Sequence, residues 1–265
     1  MDRIKQTFQR LAAKREKALV GFVTAGDPTP EVSRKVMAAM CRAGLDILEL
    51  GVPFSDPTAD GPVIQRSSER AVKSGVTLPA VLDMAAELRK ETDVPIILFS
   101  YYNPIYAFGS EAFFRAAPRA GADGVLVVDL PPEESDELTA CWTGGDFSLI
   151  RLVAPTTPPK RIALITAAAT GFVYLVSMTG VTGSSGLEAD PVADLCARVK
   201  QTTSLPVCVG FGISTVADVA RVAKAADGVV IGSAFERLIE ENLDRPDLPE
   251  IMAERVRQYK AATKY

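Results

Sequence analysis

The chain has 265 residues, 48% of them hydrophobic, and a net charge of −4 from 29 basic and 33 acidic side chains. That length and apolar content suit one α/β domain of barrel size over residues 1–265. The basic residues are scattered, so neither a nucleic acid nor an anionic membrane is indicated as a partner. The sequence has no histidine, which excludes Ser-His-Asp and Cys-His catalysis and argues against a zinc site. Any acid–base chemistry therefore falls to Asp, Glu, Tyr or Lys.

Two further features indicate the compartment. The N-terminal segment lacks the apolar core of a signal peptide, and no apolar run approaches the roughly 20 residues that span a bilayer. No cysteine belongs to a Cys-x-x-Cys pair, which is typical of core thiols in a reducing cytoplasm. These cysteines are Cys41, Cys141, Cys196 and Cys208. We expect a cytoplasmic protein without a membrane segment.

The chain opens with a charged segment over residues 2–15 that carries apolar residues at helical spacing, which predicts a helix closing one end of the fold. Amphipathic helices are predicted at 31–42, at 78–88, at 215–223 after the N-cap Ser214, and around 251–259. Eight apolar, strand-like runs alternate with such segments. They cover residues 18–24, 46–51, 94–100, 123–129, 148–153, 172–177, 205–211 and 228–231.

Eight strands with intervening helices predict an α/β fold of the TIM-barrel type, (β/α)₈, as a single domain with an extra N-terminal helix. A doubly wound open sheet is the alternative. That fold favours a Gly-x-Gly-x-x-Gly turn after the first strand, and residues 24–29 (TAGDPT) do not supply one.

The segment 46–62 (DILELGVPFSDPTADGP) contains the strongest candidate site. Glu49 interrupts a buried strand, where a carboxylate costs several kcal/mol unless it finds a partner or takes up a proton. Asp60 lies where a long loop meets a helix that begins near Pro62. Glu49 is either a catalytic acid inside the barrel or a structural acid paired with a buried Arg. Asp60 is either functional or the helix cap.

Two connections, 52–61 and 178–190, are longer than the usual turns of about 2–6 residues. In a barrel both lie at the catalytic face, so we expect them to meet over one pocket. The second, rich in Gly, Ser and Thr, is expected to close over that pocket as lids do.

Glycine turns end the last two predicted strands. Gly212 follows the seventh strand, and Gly232-Ser233 leads from the eighth strand into a helix. Glycine lets the backbone approach an anion, and a helix N-terminus offers N–H donors and partial positive charge. Barrels commonly bind phosphate at these two loops. Gly183 is a candidate for a third donor set.

These residues together resemble the α subunit of tryptophan synthase over essentially the whole chain. The matching stretches are 48–65 (LELGVPFSDPTADGPVIQ), 101–105 (YYNPI), 128–131 (VDLP), 174–177 (YLVS), 180–183 (GVTG) and 210–212 (GFG). The resemblance implies cleavage of indole-3-glycerol phosphate to indole and glyceraldehyde 3-phosphate. It implies a β-subunit partner in an α–β–β–α heterotetramer, where pyridoxal phosphate in the β subunit joins indole to serine. No cofactor is expected in this chain.

The resemblance also implies residue roles. Glu49 and Asp60 match the family's acids, with Glu49 alternating as acid and base and Asp60 holding the indole N–H. Tyr174 would position the reacting group or Glu49; the alternative is a hydrogen-bonded core tyrosine. Asp129 would orient Thr182; the alternative is a hydrogen-bonded structural acid. The indole slot would be formed by apolar and aromatic positions that also suit ordinary barrel filling: Phe22, Tyr101, Leu126 and Phe211. The phosphate would contact Gly183, Gly212, Gly232 and Ser233.

Two positions depart from the family pattern. Thr58 replaces a usual Leu in the loop, and Arg151 replaces a usual apolar residue of the fifth strand.

Three rival hypotheses stand beside the α subunit. A free-standing lyase would release indole without a partner. A Schiff-base aldolase would need a lysine on a strand, and the predicted strands have none. A silent regulatory subunit would not need Glu49 and Asp60.

Overall fold

The computed structural model describes residues 2–142, 144–176, 190–210 and 212–264. Eight parallel strands pair in chain order and close into a barrel, since β8 pairs with β1. The strands are β1 Ala18–Thr24, β2 Ile47–Gly51, β3 Ile96–Ser100, β4 Gly124–Val127, β5 Ser148–Val153, β6 Val173–Val176, β7 Val207–Gly210 and β8 Gly228–Ile231. The predicted TIM barrel is confirmed, and the extension of one domain over residues 1–265 stays a prediction.

Helices follow every strand on the outside of the barrel, and one precedes β1. They are α1 Arg3–Lys14, α2 Pro30–Arg42, α3 Pro62–Lys73, α4 Leu78–Arg89, α5 Tyr102–Phe108, α6 Ser110–Arg119, α7 Asp136–Thr139, α8 Pro159–Ala167, α9 Asp190–Lys200, α10 Val216–Ala223, α11 Ser233–Glu240 and α12 Leu248–Ala261. A 3₁₀ turn, Pro132–Glu134, lies between β4 and α7.

The strands are apolar on both faces because each face is covered. Alternate side chains point into the barrel and form one cluster with α1, including Ile47, Ile97 and Leu126. The other side chains pack under the outer helices in a larger cluster that contains Leu48, Leu50 and Leu98. This double burial explains why the strands read as continuous apolar runs.

Helix α1 closes the end of the barrel at which the strands begin. Ile4 and Leu11 are fully or almost fully buried in the interior cluster, and the ring of Phe8 lies 6.1 Å from that of Phe172. Arg3 and Arg10 form ion pairs with Asp123 and Asp46, which stand before β4 and β2. The predicted N-terminal helix is confirmed, and the opposite end of the barrel is left to the loops that follow the strands.

The start of α10 differs from the sequence prediction. The cap of α10 is Thr215 rather than Ser214: Thr215 accepts from the amide of Asp218, whose carboxylate accepts in return from the amide of Thr215. A hydroxyl precedes the helix at both positions, so composition alone does not separate them.

Cys41, Cys196 and Cys208 are buried as predicted, whereas Cys141 is only half-buried.

Arg151 has partners that the sequence did not indicate. Its guanidinium is buried in β5 and donates to the carbonyl of Leu130 and the hydroxyl of Ser135. Burial lowers the pKa of the Arg151 side chain. Arg151 therefore fastens the connection after β4 and lies apart from Glu49.

Among the residues that the structure describes, no helix is both long and apolar enough to traverse a bilayer.

Candidate active site

Glu49 points into the barrel from the middle of β2. It lies two residues beyond the interior residue Ile47 and is level with Phe22 of β1 and Ile97 of β3. Its side chain is fully buried, and neither carboxyl oxygen forms a hydrogen bond within the described part of the chain. The alternative of a structural acid paired with a buried Arg is therefore wrong.

Burial raises the pKa of Glu49 to about 8, because the charged form loses its hydration without gaining a partner. The carboxyl is thus mainly protonated at neutral pH, and little free energy separates its two protonation states there. A group in that condition can both give and take a proton during one reaction.

Asp60 ends the loop after β2 and is held by Tyr101. The Tyr101 hydroxyl donates to Oδ2 of Asp60 over 2.9 Å and accepts from the amide of Ala59 over 2.9 Å. Gly61 is the N-cap of α3 and makes no side-chain capping bond, so the reading of Asp60 as the helix cap is wrong. Burial raises the pKa of Asp60, and the Tyr101 hydrogen bond opposes that shift.

The rest of this loop is fastened to α3 and to Tyr101. Ser68 accepts from the amide of Phe54 and donates to its carbonyl, both over 2.8 Å. The Phe54 ring packs 5.2 Å from that of Tyr101, and Gln65 donates to the carbonyl of Asp60. These contacts give Asp60 a defined place beside the barrel mouth.

Tyr174 on β6 faces the same interior as Glu49. Burial raises its pKa well above the ordinary range, and the negative charges of Glu49, Cys208 and Asp60 add to the shift. A Cβ atom on Gly210 of β7 would come within 2.2 Å of the Tyr174 hydroxyl. The phenol therefore occupies space that only a glycine at position 210 leaves open.

A small cleft, with a cavity volume of about 10 Å³, lies next to Asp60 at the carboxyl ends of β1 to β3. It is lined by Phe22, Thr24, Gly51, Val52, Asp60, Ile64, Ser68, Phe99 and Tyr101. The rings of Phe22 and Phe99 meet edge to face at 5.2 Å. Phe22 and Tyr101 of the predicted slot thus share one cleft, whereas Leu126 is fully buried in the barrel interior and does not line it.

The N-terminus of α11 opens beside this cleft. Gly232 is the N-cap of α11 and makes no side-chain capping bond, and a Cβ atom built on it would meet Phe22 at 3.7 Å and Ile64 at 3.9 Å. Ser233 is the first residue of the helix. Gly212 has φ of 72°, a backbone conformation that favours glycine. These three residues occupy the ends of β7 and β8, where the phosphate was predicted.

Asp129 stands two residues beyond the end of β4 rather than at its end, and its Oδ1 accepts from the amide of Tyr102 at the start of α5. Its predicted partner Thr182 lies outside the described residues, as do Gly183, Phe211 and nearly all of the 178–190 loop. The roles assigned to those positions stay predictions.

One buried acid near this site was missed in the sequence. Glu236, in the first turn of α11, is fully buried beside the end of β1. Glu236 stands among the buried apolar residues Phe235 and Ile239 of α11, so the apolar pattern of the helix gave no reason to single it out.

A larger hollow lies at the opposite end of the barrel, between α1 and the residues that precede β7 and β8. That face serves stability in barrels of this type, whereas catalytic groups collect at the carboxyl ends of the strands. In the described ranges, no group of three His, Cys, Asp or Glu side chains is placed to hold a metal ion.

A closed (β/α)₈ barrel that carries a buried carboxyl on β2, unpartnered among the described residues, and a second acid in the loop after that strand has the arrangement of a barrel enzyme with its site at the carboxyl ends of the strands. Residues 8–264 match the family model described as tryptophan synthase alpha chain. The chain belongs to the tryptophan synthase alpha chain family, and its function is that of a lyase in tryptophan biosynthesis.

Individual proteins that resemble this chain have the same family name. The chain is 69% identical to the tryptophan synthase alpha chain of Desulfosudis oleivorans, over 100% of both chains. It is 60% identical to that of Desulfatibacillum aliphaticivorans, again over 100% of both. Tryptophan synthase subunit alpha from Legionella pneumophila superposes with a TM-score of 0.92 at 39% identity, covering 99% of this chain and 98% of the other. An aminoacrylate-bound form of tryptophan synthase from M. tuberculosis gives 0.89 at 31% identity over 100% of both chains.

Proposed function

We propose that Glu49 and Asp60 carry the lyase reaction of this family, the cleavage of indole-3-glycerol phosphate to indole and glyceraldehyde 3-phosphate. The observation that carries the proposal is the Glu49 carboxyl, which is fully buried, has no partner among the described residues and has its pKa raised to about 8. Burial of this carboxyl costs free energy that no hydrogen bond or ion pair among the described residues offsets, so a role in stabilising the fold does not explain it.

Glu49 handles one proton in two steps. Its carboxyl gives a proton to the indole ring carbon that bears the side chain. The resulting carboxylate takes the proton of the side-chain hydroxyl next to the ring as the carbon–carbon bond breaks. The electron pair of that bond returns to the ring and restores indole, and the hydroxyl carbon becomes the aldehyde of glyceraldehyde 3-phosphate. Glu49 ends protonated, so no external acid or base is consumed.

Asp60 stabilises the intermediate. Protonation of the ring carbon places positive charge on the indole nitrogen, and a carboxylate that accepts from its N–H lowers the energy of that charge. The Tyr101 hydroxyl supports this role because it binds one oxygen of Asp60 and leaves the other for the substrate. Phe22 and Tyr101 line the cleft beside Asp60 and suit the flat ring, and Tyr174 would position Glu49 or the reacting group.

The phosphate group would bind at the start of α11. Backbone N–H groups of Gly232 and Ser233, together with the positive end of the helix, suit a dianion. Gly212 adds close backbone approach from the end of β7, and Gly183 is the predicted fourth contact. Leu126 and Phe211 complete the predicted ring pocket, and Asp129 with Thr182 its polar edge.

The proposed partner is a tryptophan synthase β subunit in an α–β–β–α heterotetramer in the cytoplasm. The likeness to tryptophan synthase of M. tuberculosis supports it. Pyridoxal phosphate would belong to the β subunit, where indole is joined to serine, and none of the steps proposed for this chain uses it.

A free-standing lyase is the second candidate, and the anchoring of Asp60 favours it. Tyr101 and Ser68 already hold the catalytic loop from within the chain, so ordering of that loop does not depend wholly on a partner.

The test is a cleavage assay on indole-3-glycerol phosphate with and without added β subunit, using Glu49→Gln as the matched inactive control. A partner that favours the closed state by 1–3 kcal/mol would accelerate cleavage about 5–150-fold. Full activity without any acceleration would favour the free-standing lyase, and no cleavage in either condition would contradict the proposed reaction.

A further inference from the structure

Glu236 is a buried carboxyl that the proposed reaction does not use. It is the fourth residue of α11, counted from Ser233, and its side chain is fully buried. Oε1 accepts from the amide of Thr24, the last residue of β1, over 2.7 Å. Oε2 forms no hydrogen bond within the described ranges. This carboxyl therefore joins the first turn of α11 to the end of β1 through one of its two oxygens.

Arg70, the positive charge that acts on Glu236, is engaged elsewhere. Arg70 of α3 binds both oxygens of the buried Asp27, over 2.7 and 2.8 Å, and also binds Glu240 further along α11. Burial raises the pKa of Glu236 to about 8, and the negative charge of Asp27 adds to the shift; the Thr24 amide, the Ser67 hydroxyl of α3 and Arg70 oppose it. A neutral Glu236 is thus the stable form at neutral pH.

Other charged groups packed on α11 lie further round the helix. Arg66 of α3 binds Glu240, and β1 has no titratable side chain. From α12, Tyr259 packs against Phe235, and Glu250, Glu254 and Arg255 surround Leu238. Asp27 and Arg70 are therefore the charges that govern Glu236.

We propose that Glu236 is a positioning residue for the phosphate site and that it acts in its protonated form. The neutral carboxyl holds the N-terminus of α11 against Thr24. Loss of its proton would place a buried negative charge one turn behind the backbone groups that have to bind an anion. The inference rests on the phosphate site proposed for Gly232 and Ser233.

The consequence is a coupling between anion binding and one proton. An anion at the start of α11 and an ionised Glu236 repel each other in a dry environment, so the anion binds the protonated protein. Apparent affinity is reduced by the fraction of protein in the competent state. With a pKa of about 8, affinity should fall up to about tenfold between pH 6.5 and pH 9.

Inorganic sulfate is the probe, because it does not titrate in this range. Calorimetric titrations are made at pH 6.5 and pH 9 in Glu49→Gln protein, which removes the other carboxyl with a pKa of about 8. The dissociation constant should rise about three- to tenfold in this background. Adding Glu236→Gln should reduce that ratio below about twofold. Adding Glu241→Gln, an exposed acid at the end of the same helix, should leave the ratio as it was.

A second measurement needs no variant at Glu236. Sulfate binding at pH 8, compared in two buffers of different ionisation enthalpy, should be accompanied by uptake of about half a proton. Absence of uptake, or an equal pH dependence after Glu236→Gln, would overturn the role of Glu236 while leaving the phosphate site intact. Absence of sulfate binding already at pH 6.5 would contradict the phosphate site itself, and this role with it.

Discussion

The Tyr101 hydroxyl donates to Oδ2 of Asp60 over 2.9 Å, and the Tyr101 hydroxyl oxygen accepts from the amide of Ala59. One phenol at the end of β3 therefore holds both the side chain and the backbone of the loop that carries the second acid. Burial raises the pKa of this phenol, and the neighbouring Asp60 carboxylate raises it further. Tyr101 accordingly stays protonated, and able to donate to the Asp60 carboxylate, at neutral and mildly alkaline pH.

Removal of this hydroxyl should impair cleavage. Tyr101→Phe keeps the ring in the cleft but loses the hydrogen bond to Asp60, and hydrogen bonds to charged groups contribute about 1.5–3 kcal/mol. We expect kcat/KM for indole-3-glycerol phosphate to fall on the order of 10- to 100-fold. Tyr106→Phe is the matched control, since Tyr106 is 58% exposed. An unaltered kcat/KM in Tyr101→Phe would show that Asp60 does not need this donor.

The barrel and its inward acid were predictable from the sequence, whereas this contact was not. Apolar runs of strand length separated by helical stripes follow from burial on both faces, and alternation along β2 then turns Glu49 inward. The sequence gives Tyr101 an aromatic ring, but whether its hydroxyl meets Asp60 depends on side-chain rotamers in a loop far away in the chain. The partners of Arg151 were missed for the same reason, whereas Glu236 was missed because it stands among the apolar residues of α11.

Glu49→Gln should abolish cleavage and leave the fold and anion binding intact. The amide has nearly the shape of the protonated acid but gives no proton, and removal of a general acid–base group costs about 10²–10⁴-fold or more. In the unmodified enzyme the protonated form starts the reaction, so kcat/KM should fall as pH rises above about 8. Steady-state kinetics from pH 6 to pH 9.5 measure both effects. Near-normal turnover by the variant would refute the assignment of Glu49.

Ser233→Asp should weaken binding of phosphate ligands. The new carboxylate would stand at the first residue of α11 and repel a bound dianion at the place where the helix favours negative charge. We expect the dissociation constant of glycerol phosphate to rise about tenfold or more. Ser233→Asn has a similar shape without the charge and serves as the control. Equal affinities for the two variants would move the phosphate to another part of the barrel.

Gly210→Ala should displace Tyr174 and lower activity. The added methyl group would lie 2.2 Å from the Tyr174 hydroxyl and 2.7 Å from the ring carbon that bears it, so the ring must move within a packed interior. Overpacking of this kind costs about 1–3 kcal/mol of stability, and we expect kcat to fall as well. At Gly61 no atom comes within 4 Å of an added Cβ, so Gly61→Ala has no overpacking cost and should lower the urea midpoint less than Gly210→Ala does. Unchanged stability and kcat in Gly210→Ala would show that the Tyr174 ring is not confined there.

The two buried glutamates should make the protein less stable as pH rises. Burial raises the pKa values of Glu49 and Glu236 to about 8 in the folded chain, against about 4.3 for an exposed glutamate. Between those values the folded state binds more protons than the unfolded state, so the free energy of unfolding decreases with pH. The contribution is complete below about pH 4 and is lost as pH approaches and passes 8.

A variant with both Glu49→Gln and Glu236→Gln lacks this dependence, because an amide does not ionise. Its free energy of unfolding, relative to the unmodified chain, should increase by several kcal/mol between pH 5 and pH 8.5, at about 1.4 kcal/mol per pKa unit for each site. Urea unfolding at pH 5, 6.5 and 8.5 measures that difference, and each single substitution should show part of it. Glu241→Gln removes an exposed acid and should differ from the unmodified chain by the same amount at every pH. A difference that does not change with pH in the double variant would mean that both carboxyls ionise in the folded barrel as readily as they do in water.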